Sequence, residues 1–188
     1  MKFPHWQYFL SLESSLNETT RYVELAEENY SVFSIEYARI LLSTAAEVDV
    51  VCKLLCDKIA PSPKTGNIDD YRKLILATYP KFPNIKIQVP RLELDILPWE
   101  AWNNSNNPDW WRNYNKVKHE RGKFFKEANL QNSLYALCGL FAVLLYFYQP
   151  EACKGDLYPF PQLLDYDRFP GYMITDSVVE LPDFPRKE

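Results

Sequence analysis
Apolar positions recur at three- and four-residue intervals along much of this chain, the spacing of one face of a helix. Phe9, Leu12, Leu16, Val23, Ala26 and Tyr30 mark out a first helix from about residue 9 to residue 30. Ser34 is a natural N-cap for a second. There Ile35, Ala38, Leu41, Leu42, Ala45, Val48, Cys52, Leu55, Cys56 and Ile59 form one long stripe, closed by Pro61 and Pro63. A shorter helix is predicted from Asn67 to Thr78, with Tyr71, Leu74 and Ile75 facing inward. The period then changes. Ile85, Ile87, Val89 and Leu92, Leu94, Ile96 alternate with polar residues, predicting short extended segments that Pro90 makes edge pieces or two arms of a turn.

Asn103 to Asn107 reads as a polar loop, with Asn107 capping a further helix whose first position is Pro108 and whose first turn holds Asp109. That helix is expected to reach about Ala128. Leu130 to Tyr148 is apolar on every side and should be the buried centre of a bundle, stopped by Pro150. The last forty residues carry six prolines among aromatics and predict an irregular strap, with a strand over Tyr172 to Leu181. The expected fold is mainly α: a bundle of four to five helices with small extended β segments and an irregular Pro-rich C-terminal tail. One domain is expected over residues 1–188, with its core over about 9–148 and the wrapping tail over 150–188.

A chain of 188 residues can bury such a core without disulfides. The net charge of −4 argues against broad attraction to nucleic acid or anionic membranes. Its distribution is uneven, however. Eight acids face two arginines between Glu13 and Asp49, whereas six Lys/Arg and His119 face the single acid Glu120 between Arg112 and Lys126. The basic stretch suits either a phosphate-bearing ligand or docking on the acidic N-terminal half. The longest apolar run, Leu134 to Tyr148, falls short of a membrane span. The first residues lack the apolar core of a secretion signal, so a cytoplasmic location is expected. Cys52 and Cys56 share a helix face, where two thiols can grip a metal, but buried apolar-like thiols are the better reading and no metal or cofactor is expected.

Chemistry concentrates on the helix beginning at Asp109. Trp110, Tyr114, Val117, Phe124, Phe125 and Ala128 gather on one face, and Arg112, Asn115, Lys116, His119 and Lys123 on the other. Arg112 and His119 are seven residues apart, about two turns and about 10 Å along the axis. Arg121 falls within the apolar face, and Asp49 within that of the second helix. Isolated charges are costly to bury, so these two are expected to form a structural ion pair.

Arg112, the polar Asn113 and His119, with six residues between the Arg and the His, resemble the motif of the HEPN superfamily, a group of helical-bundle proteins common in toxin–antitoxin and phage-defence systems. The spacing is at the long end of that family's range. Where a subset of the family has Tyr two places after the His, this chain has Arg121. The resemblance implies a metal-independent endoribonuclease that works as a homodimer on RNA, in some cases held by an antitoxin protein. His119 would be acid or base and Arg112 would hold phosphate oxygens, with Asn113, Asn115 and Lys116 beside them. The resemblance equally covers non-catalytic dimerisation and protein-interaction modules, and a polar stripe opposite an apolar face is also what any solvated amphipathic helix displays. Trp99, Trp102 and Trp110 read as loop anchors and Trp111 as an exposed platform; His5 reads as inert and Glu47 as solvated. No phosphate-cradling loop, dinucleotide fingerprint, zinc spacing or serine-nucleophile motif is present.

Overall fold
The computed structural model describes residues 2–60, 65–166 and 181–183, and the described residues form a mainly helical bundle with one small antiparallel sheet. Helix α1 spans Pro4–Thr19, earlier and shorter than the periodicity suggested. Pro4, near its N-terminus, pre-sets the helical φ. At the other end the Thr19 and Thr20 hydroxyls donate to the Leu16 and Asn17 carbonyls, both at 2.7 Å, and compete with the helical pattern. Val23, Ala26 and Tyr30 therefore lie beyond the helix, in a connector that includes a 3₁₀ turn at Glu27–Asn29.

Helix α2, Ile35–Ile59, starts where Ser34 predicts, with the Ser34 hydroxyl accepting from the Tyr37 amide at 3.0 Å. Its stripe is buried from Ala38 to Cys56 except at the half-buried Leu42, whereas Ile35 is 80 % exposed. Helix α3, Ile68–Thr78, is capped by Asn67 and buries Tyr71 and Ile75, with Leu74 half-buried. The alternating segment becomes β1, Ile87–Val89, and β2, Leu94–Ile96, paired with Ile87 opposite Ile96 and joined through a turn at Pro90.

Helix α4 spans Asp109–Phe124, with Pro108 rather than Asn107 at its cap position. The Asn107 side chain is held elsewhere: it donates to Asp69 Oδ1 and accepts from Arg72 Nη1. The regular helix also ends before Ala128. Glu120 has φ −137° and ψ 51°, a break followed by a last turn to Phe124 and a 3₁₀ turn at Phe125–Glu127. Helix α5, Leu130–Phe147, is capped by Asn129 and packs along α2 and against α1 and α4. It is 18 residues long and apolar enough to cross a membrane by length and composition, yet 83 % of it is buried inside the fold. Pro150 does not end helical structure; it lies in the first turn of a short α6, Gln149–Lys154.

The tail straps the bundle as expected where it is described. Trp6 Nε1 donates to the Pro159 carbonyl at 2.9 Å, and Gln88 and Asp165 exchange two backbone hydrogen bonds beside β1. The strand expected over Tyr172 to Leu181 falls almost wholly outside the described residues.

Candidate functional site
Two aromatic anchors position α4. Trp110 is buried against α5, its Nε1 donating to the Pro98 carbonyl at 2.9 Å, and its ring lies edge-to-face with Trp99 at 5.2 Å. Trp99 Nε1 in turn donates to the Gly139 carbonyl of α5 at 3.1 Å. Trp111, expected to be exposed, is only 7 % so, and packs against Tyr114. Trp102 is buried beside Trp99.

With the apolar face fixed this way, the opposite face turns outward. Arg112, Lys116 and His119 are exposed, while Asn113 and Asn115 are half-buried. Arg112 pairs with Asp109 one turn earlier, an exposed contact worth only a few tenths of a kcal/mol (about 0.3–0.5) that leaves the guanidinium available. His119 has no hydrogen-bond partner among the described residues. Asn115 folds back, its Nδ2 donating to the Trp111 carbonyl at 3.0 Å. Lys116 Nζ donates to Asn113 Oδ1 at 2.9 Å, and Asn113 Nδ2 donates to Asn132 Oδ1 at 3.3 Å.

Arg112 and Asn113 also line a cleft of about 510 Å³ between the start of α4, the loop before it and the start of α5. That volume lies in the range of small-molecule sites. Asn115, Lys116 and His119 do not line it. Arg112 and His119 therefore share a helix face, but His119 does not line this cleft.

The structure does not make the expected ion pair. Arg121 is exposed and Asp49 half-buried, and no ion pair joins them among the described residues. The expectation extended one regular helix to Ala128; the break at Glu120 rotates Arg121 off the apolar face. Asp49 instead lies against the Tyr71 hydroxyl, whose ionisation is pushed up by burial first and by that carboxylate second.

His5 and Glu47 were expected to be inert and solvated, but they meet. His5 Nδ1 lies 2.6 Å from Glu47 Oε1, with side chains 24 % and 13 % exposed, and the imidazole is edge-on to Phe147. This contact joins the start of α1 to the middle of α2. Removing one partner leaves the other half-buried, so His5→Ala should lower unfolding stability in urea by about 1–2 kcal/mol. A double-mutant cycle with Glu47→Ala should recover most of that as coupling; additive losses would contradict the contact.

Cys52 and Cys56 are both buried free thiols; burial pushes the Cys56 thiol up to about 12 and Cys52 well above its ordinary value. A neutral thiol is a poor metal ligand and nucleophile.

The residues that sequence reasoning missed line the cleft: Glu100, Glu127, Asn132 and Tyr135. A signal was present, since eight asparagines fall between residues 103 and 132, a density that loops and caps alone do not require. No protein-family model, no curated protein and no solved structure gives a significant match to this chain.

Proposed function
We propose that this protein is a HEPN-like endoribonuclease that cleaves RNA without a metal ion, acting as a homodimer through Arg112 and His119. The observation that carries the reading is the state of His119: an exposed imidazole without a hydrogen-bond partner among the described residues, at the end of the regular part of α4 and two turns from an exposed guanidinium on the same face. An exposed imidazole in that state can accept a proton at one ring nitrogen and donate from the other.

RNA carries its own nucleophile. The 2′-oxygen bonds to phosphorus as the bond from phosphorus to the 5′-oxygen breaks, leaving a 2′,3′-cyclic phosphate and a 5′-hydroxyl. His119 accepts the proton from the 2′-hydroxyl, and a protonated imidazole from the second copy delivers one to the departing 5′-oxygen. Arg112 stabilises the charge on the non-bridging oxygens. Two copies are needed because each chain supplies one such imidazole, and the reaction uses one to accept a proton and another to deliver one. A toxin–antitoxin or phage-defence role fits an enzyme of this kind, with a partner protein as its restraint.

His119→Ala should lower the rate of RNA cleavage in EDTA by about 10²–10⁴-fold, and Arg112→Ala by about 10²–10³-fold. Both side chains are exposed, so melting temperature should stay within a degree or two of the wild type. In cells, expression of the wild type should slow growth and expression of His119→Ala should not. Equal cleavage by wild type and His119→Ala would remove His119 from the chemistry.

One observation favours a second reading, a non-catalytic interaction module: the cleft at the start of α4 is not lined by His119. Under that reading RNA stays intact at stoichiometric protein, and the cleft residues, not His119, set partner binding.

A further inference from the structure
We infer that the cleft at the start of α4 is a nucleobase pocket that selects guanine, placing the adjoining phosphate at Arg112. The inference rests on the RNA-cleaving reading above and names the base that the enzyme takes.

Glu127 is half-buried in the 3₁₀ turn between α4 and α5, and its carboxylate makes no hydrogen bond or ion pair among the described residues. A carboxylate with no protein donor keeps its acceptor capacity for a ligand. Beside it, Asn132 is 6 % exposed and rigidly held. Its Nδ2 donates to the Glu127 carbonyl at 2.8 Å, and its Oδ1 accepts from Asn113. Tyr135 contributes a half-buried aromatic ring to the same cleft. An aromatic wall, a fixed carboxamide and an unengaged acceptor form the combination that holds a splayed-out base by stacking and by its Watson–Crick edge.

The polarity of the lining selects among bases. An ionised carboxylate only accepts. Guanine presents two adjacent donors, N1–H and N2–H, which match its two oxygens. Adenine and cytosine offer an amino donor beside a ring acceptor, and uracil offers one N–H between two carbonyl acceptors that a carboxylate repels. The cleft is also net acidic, with Glu100, Glu127 and Asp109 against Arg112. It therefore suits the neutral base of a nucleotide, not its phosphate. The phosphate belongs outside, where Arg112 stands at the rim and where Lys116 is joined through Asn113 to Asn132. That chain of contacts couples the exposed stripe to the cleft wall.

The test is calorimetric titration of the full-length protein with guanosine, adenosine, cytidine and uridine 3′-monophosphates, and with arginine amide as a cationic control. Guanosine 3′-monophosphate should bind at least tenfold more tightly than the uridine nucleotide, and Glu127→Gln should abolish that preference while leaving the melting temperature unchanged. Equal affinity for all four nucleotides, no binding of any, or a preference that survives Glu127→Gln overturns the inference. Tighter binding of arginine amide than of any nucleotide also overturns it and assigns the cleft to a basic segment of a protein partner. RNA cleavage is read separately: guanine binding with intact RNA leaves the pocket and removes the nuclease, while cleavage without guanine preference does the reverse.

Discussion
Replacing Gly139 with alanine should destabilise the protein by about 2–3 kcal/mol and displace the helix that carries the candidate site. A Cβ at this position would lie 2.7 Å from Trp110 Cζ2, closer than Cβ contacts come, and a tight 3.2 Å from Cη2. The indole cannot swing aside cheaply. It is tied to the Pro98 carbonyl, wedged edge-on against Trp99, and 2 % exposed. Trp99 is itself tied to the Gly139 carbonyl, so both rings resist together. The strain must pass into α4, two residues before Arg112. Urea denaturation should show the loss, and near-ultraviolet circular dichroism should show the altered tryptophan environment. In a Trp110→Phe background, which removes the clashing ring atoms, Gly139→Ala should cost about 1 kcal/mol or less. A cost below about 0.5 kcal/mol in the wild-type background would contradict this packing.

The second large effect is at Glu13. Its carboxylate is 2 % exposed and accepts three backbone amides of the tail: Gln162 on Oε2 at 2.8 Å, Leu163 on Oε1 at 2.8 Å and Leu164 on Oε1 at 3.0 Å. Glu13→Ala strands those amides in a dry site and should cost about 3–5 kcal/mol, measured by urea denaturation. Glu13→Gln should cost less, because its carbonyl still accepts while its amino group faces a donor. Limited proteolysis should cut within 155–166 in the alanine variant before the core is attacked. A loss under 1 kcal/mol, or a tail as resistant as the wild type, would show that the strap is held elsewhere.

Glu13 also sets a pH dependence with a definite sign. Burial raises its pKa above the ordinary 4.5, outweighing the lowering by the three amides. The folded chain thus holds the proton more tightly than the unfolded one. The associated stabilisation is complete below 4.5 and is lost as pH rises through the raised folded value. The stability advantage of the wild type over Glu13→Gln should accordingly shrink from about pH 4 toward neutrality. A growing advantage would reverse the balance of burial and amide bonding.

The elements with strong local signals were legible in the sequence. The caps at Ser34, the stripe of α2, the all-round apolar α5 and the period-two segments each state their structure within a short window. The errors came where a remote or conformational term overrode the pattern. Val23, Ala26 and Tyr30 keep helical spacing, but the two threonine hydroxyls end α1 before them. Arg121 was placed by extrapolating a regular helix through Glu120, where the backbone breaks. Trp111 was read as exposed because Trp99, Trp102 and Trp110 took the anchoring role, whereas its ring packs against Tyr114.

At the site, exposure of the Arg112 and His119 stripe followed directly from amphipathicity. The cleft did not, because Glu100 comes from a different segment from Glu127 and Asn132, and Trp110 packing on α5 is a contact between elements that the sequence pattern does not show. The pairing of His5 with Glu47, 42 positions apart, was invisible for the same reason.

The central claim is that the exposed face of α4 cleaves RNA through the ribose hydroxyl. The direct measurement is incubation of a defined RNA oligomer with purified wild-type protein in EDTA, with product ends identified by mass, beside an oligomer carrying 2′-deoxyribose at the cleaved position. Cleavage of the first into a 2′,3′-cyclic phosphate and a 5′-hydroxyl, with the second intact, is the expected result. Intact RNA at stoichiometric protein, or cleavage that ignores the missing hydroxyl, would contradict it.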